Sequence, residues 1–173
     1  MKSHPLMSPK GQPRMEACAI ASSSTLTNTV TETAFSNATT YLDGLQPGDM
    51  IEIVGACYVA SAQSTDTLTV KVYFGTEEIC TTGAVNSTTA DIVHVHAYIV
   101  VTAGGSGGYV RATGTVTNGV EGTATALPFR KASAAETLVG ACYVKMTGKW
   151  SVAHADNQVA CEEWIVIVHR RAG

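Results

Sequence analysis

Charged side chains are scarce in this chain. Lys and Arg number 11 and Asp and Glu 14 among 173 residues, 14 % in all, where a globular domain usually carries about a quarter. The formal net charge of −3 leaves no basic footprint of a nucleic-acid binder. No stretch nears the roughly 18 apolar residues of a membrane-crossing helix. The opening Met-Lys-Ser-His-Pro-Leu has no apolar h-region, so sec-type export is not expected. Leu and Lys are few as well: 7 Leu and 6 Lys stand beside 23 Thr, 19 Val and 16 Gly. β-Branched residues lose rotamer freedom in a helix and Gly costs backbone entropy, so this composition favours pleated strands and turns. Apolar content stays ordinary at 45 %, which excludes simple disorder.

Recognisable catalytic patterns are lacking too. Cys18, Cys57, Cys80, Cys142 and Cys161 are odd in number and widely spaced, with no Cys-x-x-Cys pair. That disfavours a zinc ribbon or a thioredoxin-like site and fits reduced thiols acting as small hydrophobes. The glycine run at 104–108 is followed by neither a helical pattern nor a Lys, so it is no P-loop and no dinucleotide fingerprint. Glu77-Glu78 and Glu162-Glu163 are adjacent pairs, and neighbours on a strand face opposite ways, which makes poor acid–base dyads. His94 and His96 are the one metal-like spacing, because alternate strand residues share a face. No carboxylate follows them as a cupin would require, so they are read as outward-facing or interface histidines, and no metal or other cofactor is expected.

What is present is alternation. Residues 24–35 alternate Thr with other residues. Pro47-Gly48 has the signature of a type II turn, with Pro fixing φ and Gly supplying positive φ. It leads into 50–59, where Ile51, Ile53, Cys57 and Val59 share one face. Residues 68–74 place Leu68, Val70, Val72 and Phe74 together, a half-buried antiparallel strand. Residues 91–101 set Val93, Val95, Ala97, Ile99 and Val101 against Ile92, His94, His96, Tyr98 and Val100. The 104–108 run reads as a flexible tip returning through 109–116. Residues 120–137 read as loop and short strand, and Trp150 as the start of a strand. The last run, 159–169, is apolar on both faces, as in a strand covered twice, the second cover being another subunit. Tyr58, Tyr73, Tyr98 and Tyr143 fall on non-core faces, where a sugar site would need two or three together. Val-Gly-Ala-Cys-Tyr-Val occurs at 54–59 and again at 139–144 without matching flanks, so it is no repeat architecture.

The fold expected is therefore all-β: a single antiparallel jelly-roll sandwich of about eight strands over 24–173, with an extended N-terminal arm over 1–23. Pro5, Pro9 and Pro13, interspersed with Lys2, Lys10 and Arg14, keep the arm extended and basic.

These stretches carry a resemblance. Residues 25–35, the Leu45-Gln46-Pro47-Gly48-Asp49-Met50-Ile51-Glu52-Ile53 segment, 67–75, 90–116 and the run from Trp150 to the C-terminal strand resemble the small jelly-roll structural proteins of tailed bacteriophages, best known as capsid decoration or cement proteins. The resemblance implies a non-enzymatic virion protein, commonly a homotrimer, made in the host cytoplasm and bound to the major capsid protein on the head surface, with no nucleic-acid or membrane partner. On that reading Trp164, Ile165, Ile167, His94, His96 and Tyr98 lie at a subunit interface, and Lys2, Pro5, Pro9, Lys10, Pro13 and Arg14 form the capsid-binding arm. The alternatives are a receptor- or carbohydrate-binding module of a phage fibre or tail, and a cupin-like metal enzyme.

Overall fold

The computed structural model describes residues 13–120, 124–138 and 142–171. These form eleven strands and no helix: β1 (Pro13–Thr27), β2 (Thr33–Leu42), β3 (Met50–Ser61), β4 (Thr67–Phe74), β5 (Glu77–Thr81), β6 (Val85–Asn86), β7 (Asp91–Ala103), β8 (Gly105–Val120), β9 (Thr125–Leu138), β10 (Cys142–Trp150) and β11 (Gln158–His169). One sheet runs β1-β11-β3-β7-β8-β9, the other β2-β10-β4-β5 with β6 beside β4. The pairs β1–β11, β2–β10, β3–β7 and β4–β5 are all antiparallel. They describe one long hairpin rolled up so that its layers interleave into two facing sheets, which is the eight-stranded jelly roll. The hairpin β8–β9 is an insertion that widens the first sheet, and β6 is a two-residue bridge.

The core lies between the sheets, where period-two alternation delivers one row from each strand. Ile51, Ile53, Cys57 and Val59 of β3, Val93 to Val101 of β7, and Val166 and Val168 of β11 meet Phe35 and Leu42 of β2, Leu68 to Phe74 of β4, and Val144, Met146 and Trp150 of β10. Cys57, Cys80, Cys142 and Cys161 are buried among them. Burial pushes the Cys80 thiol up to about 12, which holds it in the unreactive protonated form. Gly114 marks a close approach of β8 to β7. A Cβ there would overlap the backbone carbonyl of His96 and lie 2.9 Å from Ala97 Cα, so only Gly permits this register. At the β2–β3 turn, Asp49 N–H donates to Gln46 C=O at 3.0 Å and Gly48 has φ of 95°, as the Pro-Gly pair predicts.

Four expectations change. The backbone from Pro13 is already strand, paired with β11 from His169 onward, so positions 13–23 extend the sheet where an arm is expected. Pro13 heads an edge strand, where a missing N–H costs no ladder bond. Lys2, Pro5, Pro9 and Lys10 lie outside the described residues. The flexible tip shrinks, since β7 ends at Ala103 and β8 starts at Gly105. Residues 125–138, expected as loop and short strand, form the long edge strand β9, whose largely exposed, Ala-rich sequence has no alternation to reveal it. Trp150 ends β10 rather than starting a strand.

Candidate functional site

The two sheets turn very different outer faces to their surroundings. On the six-stranded sheet, register sets Ile167, Glu52 and Tyr98 in one cross-strand row and Ile165, Val54 and His96 in the next. Glu163, Ala56 and His94 follow. All of these are half-buried. An antiparallel sheet with one solvated face normally carries polar side chains there. Here β3, β7 and β11 set Val54, Ala56, Ile92, Ile165 and Ile167 among the polar ones.

Within this aliphatic field one polar cluster forms. His96 Nε2 donates to Glu52 Oε1 at 3.0 Å, and His169 Nε2 donates to Glu52 Oε2 at 3.0 Å. Tyr98 O–H reaches Oε1 at 3.4 Å, and its ring lies 4.8 Å from the His96 ring. An ionised carboxylate only accepts, so both histidines must hold their proton on Nε2. The bonds from His96 and then His169 outweigh desolvation and hold the Glu52 carboxyl below its ordinary range. Glu52 is thus a charge with its lone pairs already satisfied, 21 % exposed.

Of the expected interface residues, Ile165, Ile167, His94, His96 and Tyr98 share this face, and Trp164 does not. Trp164 points into the core with no exposure, and its indole N–H donates to Thr40 Oγ1 of the opposite sheet at 2.8 Å. A register shift between Cys161 and Glu163 sets this phase. Gly55 makes room, since a Cβ there would stand 3.2 Å from the indole. His169 and Glu52 were not among the expected residues. They meet His96 from three different strands, and only the pairing register reveals it.

The outer face of the second sheet is aromatic and cationic. Tyr41 of β2 stands opposite Tyr143 of β10, with ring centroids 6.2 Å apart and planes at 66°. One row on, Lys145 stands opposite Tyr73 of β4. Lys145 Nζ lies 5.2 Å from the Tyr73 ring centre and 5.3 Å from that of Tyr143. Lys71 bridges Glu78 at 2.9 Å and Glu32 at 3.3 Å. Desolvation raises the Glu32 carboxyl, but bonds from Tyr73, Thr147 and Lys71 outweigh it and hold it low. Tyr58 and Tyr98 face the other way, so the structure joins Tyr73 and Tyr143 to a third tyrosine, Tyr41.

One further cluster ties the C-terminal end of β11 to the β2–β3 turn. Asp49 carries an ion pair to Arg170 at 2.8 Å and accepts the Arg171 and Gln46 backbone N–H groups. Desolvation raises its carboxyl, and these partners more than reverse that. Ser106 sits in a Gly-x-Ser-x-Gly spacing, but it stands within β8 and not at a strand-to-helix turn. Among the described residues no three His, Cys, Asp or Glu side chains form a group that could hold a metal ion.

No family model matches the chain. No curated protein matches it either. Among solved structures, a VP2 subviral particle of infectious bursal disease virus is 12 % identical with a TM-score of 0.44, over 98 % of this chain and 36 % of that one. A CBM2 module of the evolved Dit of Lactobacillus casei phage J-1 is 8 % identical with a TM-score of 0.34, over 94 % of this chain and 99 % of the module. A legume lectin-like domain from Entamoeba histolytica is 8 % identical with a TM-score of 0.33, over 89 % and 88 % of the two chains. The chain spans little more than a third of the bursal disease virus chains it resembles. The jelly roll rests on this chain's own strand order and register.

Proposed function

We propose that the protein is a non-enzymatic virion structural subunit that decorates the head of a tailed phage and stabilises it as a homo-oligomer, most simply a trimer. The observation that carries this is the outer face of the six-stranded sheet. Its aliphatic rows gain from losing water, at about 25 cal/mol per Å² of apolar area covered. Its central charged group, Glu52, already has its hydrogen-bond partners at 3.0 Å, and the other carboxylate of these strands, Glu163, stands two rows away. Covering an unsatisfied charge is costly, and covering this cluster is much less so. Ile165, Ile167, His94, His96 and Tyr98 would then lie between copies.

The sequence resemblance to cement proteins supplies the assembly. Such a subunit binds the assembled shell and not free capsid protein, so binding itself adds to shell stability. Many symmetric copies make individually weak contacts collectively strong. The basic, proline-spaced residues 1–12 would reach the major capsid protein. On this reading the protein is made in the host cytoplasm and ends on the capsid surface.

The test is location. Antibody against the folded domain should label virion heads in electron micrographs at many positions per particle. Labelling confined to tail fibres, or none on purified particles, would overturn the proposal.

A further inference from the structure

The aromatic face has its own chemistry, and it does not depend on where the protein resides. Tyr41 is 69 % exposed, an unusual amount for a large ring on a regular strand. It meets Tyr143 edge-on and not stacked, so ring surface remains open to a ligand. Tyr73 lies one strand beyond Tyr143, and the three rings span about 10 Å of sheet, two strand spacings. That is the reach of one or two sugar rings. It is far from the roughly 1,200 Å² of total buried surface that a specific protein interface requires. Around the rings the face turns polar, with Thr39 opposite Lys145 and the Lys71 ion pairs beyond.

Charge narrows the ligand. Lys71 is neutralised by two carboxylates, whereas Lys145 has no ion-pair partner among the described residues. Its ammonium is held between the Tyr73 and Tyr143 rings, where cation–π attraction fixes it without cancelling its charge. An exposed aromatic ring face takes the C–H face of a pyranose, and an adjacent free cation takes an acid group.

We propose that Tyr41, Tyr143, Tyr73 and Lys145 form a binding site for a carboxylate-bearing glycan, a sialic or uronic acid unit. Its ring would lie against Tyr41 and Tyr143 and its carboxylate would pair with Lys145. Thr39 and the Tyr41 and Tyr143 hydroxyls are the polar groups offered to the sugar hydroxyls, the Tyr73 hydroxyl being engaged by Lys71 and Glu32.

The experiment is saturation-transfer NMR with titration on the full chain. The probes are sialyllactose and an oligogalacturonate, with lactose as the neutral parent and poly-glutamate as the acidic peptide. The expected result is saturation of the acidic sugars and at least about tenfold tighter binding than lactose, weakening as salt rises. Tyr41→Ala should cost about tenfold in affinity for the acidic sugars with an unchanged far-UV spectrum and unfolding midpoint, since the ring is exposed. Lys145→Gln should bring acidic and neutral sugars level, while Lys145→Arg keeps the preference. Absence of saturation for both acidic probes would overturn the site. So would an undiminished acidic preference in Lys145→Gln, or binding of poly-glutamate without either sugar.

Discussion

The two outer faces of this sandwich are built on the same pleat and carry opposite chemistry. On β3, β7 and β11 of the six-stranded sheet, aliphatic outward positions, mostly half-buried, surround a carboxylate shared by two imidazoles. On the four-stranded path of the other sheet they are tyrosines and lysines, with Tyr41 standing well out. Core packing cannot account for the difference, because neither face contributes to the core. The first face resembles a surface awaiting a large, flat, apolar cover. The second resembles a small platform ringed by polar groups. A protein with both could assemble through one face and meet ligands with the other.

The strongest way to sharpen this contrast lies on one strand. Trp164 and its neighbours Ile165 and Ile167 differ only in which face they take. Trp164→Ala empties a site between the sheets and strands the Thr40 hydroxyl, so the folded domain should lose about 3–5 kcal/mol by denaturant unfolding. Outer-face substitutions at Ile165 should leave unfolding of the separated subunit nearly unchanged. Equal losses at both positions would mean that the outer face is part of the fold's own core.

A smaller effect separates the carboxylates of the two faces. Glu52 and Glu32 both titrate below the ordinary 4.5 in the folded state. A depressed folded pKa means stability that is present above the unfolded value and lost as pH falls through the folded one. Stability should therefore drop as pH is lowered below about 4.5, and the drop should shrink in either Glu→Gln variant. Glu52→Gln should cost about 1 kcal/mol at neutral pH, since two histidine bonds lose their charged acceptor. Glu32→Gln should cost less, because Lys71 keeps Glu78 at 2.9 Å. Acid titration of unfolding in the three proteins checks the order.

Much of this fold is legible in the sequence. Alternation in 50–59, 68–74 and 91–101 assigns β3, β4 and β7 with the correct inward rows, because these strands are buried on one face only. The Pro47-Gly48 turn is local chemistry and appears as predicted. Strand β9 was illegible because it lies at an edge, with Pro128 in its midst, and is held by the ladder from β8 more than by its own pattern. The sites failed for a related reason. Glu52, His96 and His169 are 44 and 117 residues apart, and no spacing rule brings them together. The repeated Val-Gly-Ala-Cys-Tyr-Val makes the point within one motif. Cys57 and Cys142 both face the core, yet Tyr58 looks out from one sheet opposite Ile92, while Tyr143 joins Tyr41 and Lys145 on the other. Local sequence chose the side of the strand, and the neighbouring strands decided what the tyrosine became.

The central claim is that the aliphatic face of the six-stranded sheet is covered by further copies of the chain. Sedimentation velocity of the full protein beside the Ile165→Asp/Ile167→Asp double variant tests it most directly. The parent should sediment as a closed oligomer, most simply a trimer, and the variant as a folded monomer. A monomeric parent at tens of micromolar, or a variant with undiminished mass, would contradict it.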